Sequence, residues 1–145
     1  MPFAFATAAA KHLSSVEINN WNSNQHEFNG VASLRRMFGY NRQYLYANFI
    51  FWDNDYIVED DAVNITWYDA RENSLDRTEY RLYYTENSVV KHAQVNDLLV
   101  VGQQTDNSIV IMIVRHGSQQ YNLFMRLFGM TRVTSRFVIC NNIAA

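Results

Sequence analysis

The sequence predicts a mainly β domain of the α+β class. Aromatic residues make up 14% of the 145 residues, and short apolar runs alternate with turn-forming residues, a pattern typical of sheets with buried rings. Pro2 is the single proline, and the chain holds no internal repeat or low-complexity linker. We therefore expect one domain over residues 1–145, with 48% hydrophobic residues to supply its core.

Runs rich in β-branched and aromatic residues mark the strands. YLYANFIFW is such a run and ends at the turn-forming DND, while AVNITWYD alternates apolar and polar residues. Two apolar runs, DLLVVGQ and SIVIMIVR, are separated by QTDN, which predicts a hairpin. The predicted strands cover residues 44–52, 62–69, 79–84, 97–103, 108–115 and 132–139.

Two short helices are predicted between the strands. Ser33 is placed to cap a helix that ends at Gly39, and Ser118 to cap one that ends at Gly129, because serine favours N-caps and glycine follows helix ends. The second helix carries an apolar stripe at helical spacing, which predicts core that closes an open end of a barrel. The stripe consists of Tyr121, Phe124, Met125 and Phe128.

The charge balance argues against bulk attraction to a polyanion. The net charge is −2, from 12 lysines and arginines against 14 acids. Lys11 and Lys91 are the only lysines, so the cationic surface is made of arginine, which suits planar, bidentate recognition. Five acids fall within residues 53–61, where we expect a solvated, charged turn on a face away from any nucleic acid.

No catalytic or metal site is expected in this chain. Cys140 is the single cysteine, which excludes an internal disulfide, and its apolar run RFVIC predicts a buried structural thiol. The four histidines lack zinc-ligand spacing, and the Glu-x-Lys element of metal-dependent nucleases is missing. The N-terminal run FAFATAAA is too short to span a membrane and has no basic leader, so no membrane segment is expected and a cytoplasmic location fits.

The segment ARENSLDRTEYR, residues 70–81, carries the most distinctive pattern. Arg77, Glu79 and Arg81 are spaced two residues apart, so a strand through them would point all three side chains to one face. Guanidinium groups donate in a fork to guanine, and a carboxylate accepts from the cytosine amine, which favours a strand that reads base pairs. The alternative is a surface ion-pair ladder that contributes about 0–1 kcal/mol to stability.

A second polar segment, NNWNSNQHEFNG, covers residues 19–30. Asparagine, serine and glycine form turns, so a surface loop is one interpretation. The other is a recognition loop, because amide side chains both donate and accept and therefore match an adenine edge.

The order of four segments resembles a known family. AKHLSS, QHEFNGV, LRRMFG and RENSLDRTEYRLYY follow one another as in the effector-DNA-binding amino-terminal domain of EcoRII-type restriction endonucleases, a resemblance that extends from about Ala10 to Gly129. It implies a DNA-binding pseudobarrel of about seven strands with two flanking helices. It also implies two arms that grip the major groove, here residues 11–29 and 68–81. Leu75 and Tyr80 stand where relatives place further basic residues.

The resemblance implies sequence-specific binding of double-stranded DNA by a bacterial domain without its own catalytic centre. A nuclease domain, fused or encoded elsewhere, would then hold the Mg²⁺ needed for cleavage, and no cofactor is expected here. The alternative is a small β-barrel module that binds a peptide or small ligand. The resemblance implies base contacts by His26, Arg77, Glu79 and Arg81. The chemistry of amide side chains adds Asn24 and Gln25 as expected base contacts. The resemblance also implies contacts of Lys11 and Arg71 with bases or phosphates, and backbone or supporting contacts are the better fit for both. The small polar side chains of Ser14, Ser15 and Ser23 are expected to contact phosphates as well.

Overall fold

A computed structural model describes residues 3–28, 30–54 and 56–144, and its strands form one curled sheet. This confirms a mainly β pseudobarrel. The described residues form eight strands in the order β2-β5-β4-β3-β7-β6-β1-β8, with β3 and β7 parallel and the other neighbours antiparallel. The strands are β1 Ala4–His12, β2 Glu27–Phe28, β3 Gln43–Asp53, β4 Tyr56–Asp69, β5 Tyr80–Tyr84, β6 Leu98–Gln104, β7 Ile109–Val114 and β8 Val138–Ala144.

Three α-helices, α1 Ser15–Asn22, α2 Arg35–Phe38 and α3 Gln119–Leu127, accompany the sheet. The helices predicted in the α2 and α3 regions are confirmed, and Ser118 caps α3 by accepting from the Tyr121 N–H at 3.1 Å. Ser33 is not a cap, since it lies inside a 3₁₀ turn, Ala32–Leu34, that leads directly into α2. A second 3₁₀ turn covers Val90–His92.

Alternate residues of the strands build two cores on opposite faces of the sheet. Phe49 and Phe51 of β3 point into the pseudobarrel, whereas Ile50 between them packs on the other side. The stripe of α3 forms part of that second core, together with side chains of β1, β6 and β7. The stripe is therefore core, as predicted, but it covers one face of the sheet and does not close an end of the barrel.

The strands of the structure differ from the predicted strands in three places. β1 was not predicted, because its alanine-rich centre lacks the bulky residues that signal strands; those alanines are fully buried between β6 and β8. β4 begins at Tyr56, so Glu59, Asp60 and Asp61 lie in a strand and not in a turn. The turn before it is confirmed at Asn54, which has a φ of 57°, whereas Asp55 lies outside the described residues.

The last strand is displaced from 132–139 to Val138–Ala144, where it pairs with β1. The predicted buried thiol is partly buried, with the Cys140 Sγ 4.0 Å from the carbonyl oxygen of Phe128. Among the residues described, no group of three or more histidine, cysteine, aspartate or glutamate side chains could hold a metal ion. Nor does any described helix have the length and apolarity needed to cross a membrane.

Candidate nucleic-acid interface

The pairing of β2 with β5 brings the two polar segments together. Glu27 lies opposite Tyr83, Phe28 lies opposite Leu82, and the Tyr84 N–H donates to the His26 carbonyl at 2.9 Å. The resulting surface is a shallow groove between the root of the first arm (residues 11–29) and the root of the second arm (residues 68–81). Its lining includes Gln25, Glu27, Phe28, Gly30, Glu79, Tyr80 and Arg81.

The predicted loop in the first arm starts inside a helix, because residues 19–22 belong to α1. Ser14 and Glu17 form a capping box: the Ser14 Oγ accepts from the Glu17 N–H, and the Glu17 carboxylate accepts from the Ser14 N–H, each at 3.3 Å. The buried Trp21 donates through Nε1 to the Glu27 carbonyl at 2.9 Å, which fastens α1 to β2. The amide-rich segment is therefore helical up to Asn22, irregular over residues 23–26, and extended in β2 at Glu27–Phe28.

Lys11 is buried, so its side chain is not exposed for the backbone contact that the sequence led us to expect. Its side chain is 2% exposed, its Nζ lies 2.8 Å from Glu17 Oε2, and the ammonium stands 5.1 Å from the centre of the Phe137 ring. A buried lysine needs a counter-charge, and α1 supplies it from the first arm. Lys11 is consequently a supporting residue that positions the arm from within, and its expected direct contact with DNA is wrong.

The serines of the first arm have different surroundings. Ser14 is half-buried and its hydroxyl is engaged in the helix cap. Ser15 and Ser23, at the two ends of α1, are exposed and remain accessible to a ligand.

The tip of the first arm divides its side chains between two surfaces. Asn24 has a φ of 67°, a left-handed turn that asparagine tolerates, and both Asn24 and Gln25 are exposed. Gln25 faces the groove beside Arg81, whereas Asn24 and His26 line a separate recess. His26 is half-buried because its ring stacks on Tyr84, with 5.3 Å between centroids. The structure therefore brings Gln25 to the second arm, but not Asn24 and His26.

The second arm is a closed loop that ends where β5 starts at Tyr80. Asp69 Oδ1 accepts from the Arg71 N–H at 2.9 Å and from the Glu79 N–H at 2.7 Å, which ties the two ends of the loop together. Arg77 is exposed in this loop and precedes the strand, so the expectation of three side chains on one strand face is wrong. Within the described chain, no residue engages Arg77 in an ion pair or hydrogen bond.

Glu79 and Arg81 lie together at the edge of the groove, within a network of ion pairs. The Arg81 Nε donates to Glu79 Oε2 at 2.8 Å, Arg71 Nε lies 3.5 Å from Glu79 Oε1, and Arg81 Nη1 lies 3.6 Å from Glu27 Oε1. The hydrogen bond from Arg81 holds the pKa of Glu79 below its usual range, so this carboxylate is charged at neutral pH. The side chains of Arg71, Glu79 and Arg81 are 41–48% exposed and remain accessible to a partner.

Aromatic and acidic neighbours extend this network beyond the residues that the sequence singled out. The Tyr68 hydroxyl donates to Glu27 Oε2 at 2.5 Å, and the Arg42 guanidinium lies 5.0 Å above the Tyr68 ring while its Nη2 bonds Glu72 at 3.0 Å. Burial and this hydrogen bond raise the pKa of Tyr68. The pairing of Tyr68 with Arg81 across β4 and β5 brings the residues of this network together, and no local sequence pattern predicts that pairing.

The second arm has no positive excess. Residues 69–81 contain three arginines and four acids, and two of the arginines, Arg71 and Arg81, are already paired with Glu79. Short-range hydrogen bonding, and not long-range attraction, is therefore the chemistry that this surface offers a ligand.

Comparison with known proteins gives a fold match. No protein-family model matches the chain, and no curated protein matches it either. Among solved structures, the N-terminal domain of Helicobacter pylori LlaJI.R1 superimposes with a TM-score of 0.54 and 12% sequence identity, covering 94% of this chain and 99% of that one. The chain therefore shares its fold with that domain.

Proposed function

We propose that this domain binds double-stranded DNA at a short specific site, through the groove between its two arms. The observation that carries the proposal is the β2–β5 pairing, which places Gln25 beside Glu79 and Arg81, with Arg77 projecting from the adjoining loop. The fold that this chain shares with the N-terminal domain of LlaJI.R1 supports a DNA-binding role in a restriction system. The narrower assignment to the EcoRII type depends on the order of the sequence motifs.

In this proposal the major groove faces the arms, and the domain recognises the target for a nuclease domain that carries the catalytic centre and its Mg²⁺. Arg77 is the first candidate for reading a base, because its guanidinium is exposed and unpaired among the described residues and can donate in a fork to guanine O6 and N7. Such a pair discriminates against other bases by about 1–3 kcal/mol.

Arg81 and Glu79 are proposed to act as a unit. The carboxylate holds the guanidinium in a fixed direction at 2.8 Å, so little side-chain freedom is lost when a base binds. Glu79 also has the chemistry to accept from a cytosine amine. Arg71 and the exposed Ser15 and Ser23 are assigned to phosphates, which orient the duplex without reading its sequence.

Selection from a randomised duplex pool, followed by mobility shift at low salt, tests the proposal. We expect enrichment of one short site by the wild type. Arg77→Ala should relax base preference at one position and lower affinity for the selected site, whereas Leu75→Ala in the same exposed loop should leave both unchanged. A pool that is not enriched, or equal losses in the two variants, would contradict it.

One observation favours a different function, the binding of a small ligand or peptide. The recess beside the first arm is lined by Trp21, His26, Tyr84 and Lys91, and within the described structure the buried Tyr84 hydroxyl has no hydrogen-bond partner. Such a hydroxyl is costly unless a bound water or ligand satisfies it. Tyr84→Phe should impair the binding of such a ligand and leave selection from the duplex pool intact. Comparing Tyr84→Phe with Arg77→Ala in the pool experiment therefore separates ligand binding from DNA binding.

A further inference from the structure

The acidic residues of this chain are unevenly distributed. No aspartate or glutamate occurs in residues 28–52, which contain three arginines, or in residues 107–145, which contain four. The fold places parts of both stretches on one surface, where Ala32, Ser33, Arg35, Arg36 and Tyr40 line an open groove together with Ile139 of β8. This groove, the α2 groove, has no acid among its lining residues.

The α2 groove adjoins the groove between the arms through Tyr80. The Arg35 guanidinium lies 5.5 Å from the Tyr80 ring centre and 5.6 Å from the Tyr40 ring centre, and the Tyr80 hydroxyl donates to the Tyr40 carbonyl at 3.0 Å. Tyr80 in turn lines the groove between the arms, beside Glu79 and Arg81. A duplex bound between the two arms would therefore pass close to Arg35 as it extends beyond the arms on the side of Tyr80.

The two arginines differ in how they are held. Arg35 is half-buried, and its Nε donates to the Ala32 carbonyl at 3.2 Å, so two aromatic rings and one hydrogen bond fix its direction. Arg36 is exposed, and its guanidinium has no ion-pair or hydrogen-bond partner in the described parts of the chain. Arginine can bind phosphate in a bidentate way through its two terminal nitrogens, and the hydrogen bond of Arg35 to Ala32 uses Nε and not these atoms.

We propose that Arg35 and Arg36 form a second contact surface for duplex DNA, which binds backbone phosphates that flank the specific site. The inference rests on the proposed function and adds what the arms lack. The arms are nearly neutral, so they can form hydrogen bonds to bases but provide little electrostatic attraction for the phosphate backbone. The α2 groove, in contrast, has two arginines and no carboxylate among its lining residues. Phosphate contacts of this kind supply affinity for any sequence and set the register of the protein on the duplex.

Salt-dependent binding of the full chain tests the inference. The probe is the duplex selected by the wild type, with about ten flanking base pairs on each side, and a random duplex of equal length. Arg36→Gln should lower the affinity for the selected duplex and for the random duplex alike, by about 3- to 10-fold. It should also reduce the slope of log K against log salt by about 0.9, and Arg35→Gln/Arg36→Gln by about twice that.

Arg126→Gln is the matched control, because Arg126 is an exposed arginine on α3, which packs against the opposite face of the sheet. It removes the same charge and should change neither affinity nor slope. A duplex trimmed to the selected site should abolish the difference between the wild type and Arg36→Gln. Free phosphate at millimolar concentration should leave this difference in place if the backbone of the duplex is the ligand.

The outcomes distinguish the two proposals. If the wild type binds the selected duplex but Arg36→Gln keeps its affinity and salt slope, the α2 groove is not a contact and the function of the arms is unaffected. Equal losses in Arg126→Gln would mean that net charge, and not this surface, is responsible, and would also overturn the inference. If the wild type retains no duplex at all, both proposals fail. Matching thermal unfolding of the variants ensures that folding does not confound the comparison.

Discussion

Glu17→Gln should destabilise the fold more than an ordinary surface substitution, because it removes the carboxylate that pairs with a buried lysine. Lys11 and Glu17 are 2% and 3% exposed, and their charged atoms are 2.8 Å apart. At an effective dielectric constant of about 20, their attraction is about 6 kcal/mol, and breaking a buried pair typically lowers the free energy of unfolding by about 3–5 kcal/mol. Glutamine keeps the shape and the acceptor oxygen of the capping box, so the loss reports on the charge.

The measurement is urea unfolding at pH 7 of the wild type, Glu17→Gln, Lys11→Met and the double variant. A loss of 3–5 kcal/mol is a large part of a typical stability of about 5–15 kcal/mol and should lower the Tm in a parallel thermal melt by about 10–20 °C. The double variant should recover at least about 2 kcal/mol relative to the sum of the single losses, since both charges of the pair are then removed.

Lys91→Met provides the control for this prediction. Lys91 is paired with Glu86 at 3.7 Å, but both side chains are more than 60% exposed, so its loss should change the free energy of unfolding by less than about 1 kcal/mol. Two results would refute the reasoning: a Glu17→Gln effect as small as that of Lys91→Met, or single effects that add without coupling.

Three further predictions concern the core and its titrating groups. Burial lowers the pKa of His12, so its contribution to stability is complete above the unfolded value of about 6.5 and is lost as the pH falls through the folded pKa. His12→Gln should flatten this part of a stability-pH curve, and an unchanged curve would contradict the assignment. Gly102→Ala would place a Cβ 2.4 Å from the buried Phe5 ring, so thermal unfolding should show a loss of about 1–3 kcal/mol, and a neutral result would mean that the ring can move. Asp97→Asn should cost about 2 kcal/mol in urea unfolding, because the buried carboxylate pairs with Arg115 at 3.1 Å and accepts two backbone N–H groups; an effect near zero would show that a neutral amide satisfies the same donors.

Local patterns were sufficient to predict the β6–β7 hairpin and α3. In the hairpin, two apolar runs flank a turn in which Asn107 adopts a φ of 73°, and the residues that specify the turn are adjacent in sequence. In α3, a cap residue and an apolar stripe are both readable within one segment. These elements are determined by neighbours in the chain, which is why they can be recognised without knowing the fold.

The site was only partly predictable, because its decisive contacts join distant residues. The burial of Lys11 follows from the way α1 folds over it, and the one available signal was the Ser14-x-x-Glu17 capping box. The start of β5 depends on Asp69, ten residues before Glu79. The Asp69 carboxylate accepts from the Glu79 N–H and so closes the loop, which leaves Arg77 outside the strand. A two-residue spacing predicts a shared face only where a strand exists.

The short β2–β5 ladder makes correct assembly of the interface a condition of folding. Phe28 is 1% exposed and its partner Leu82 is fully buried, whereas Glu27 and Arg81 point outward as a pair. A shift of one residue in the register of either strand would exchange the buried and exposed faces. The Glu27 carboxylate would then be buried among apolar side chains, and the Phe28 ring would be exposed to water. A molecule in which β2 and β5 pair in the wrong register is therefore also unstable. Such molecules should unfold and not persist as folded proteins with misplaced arms.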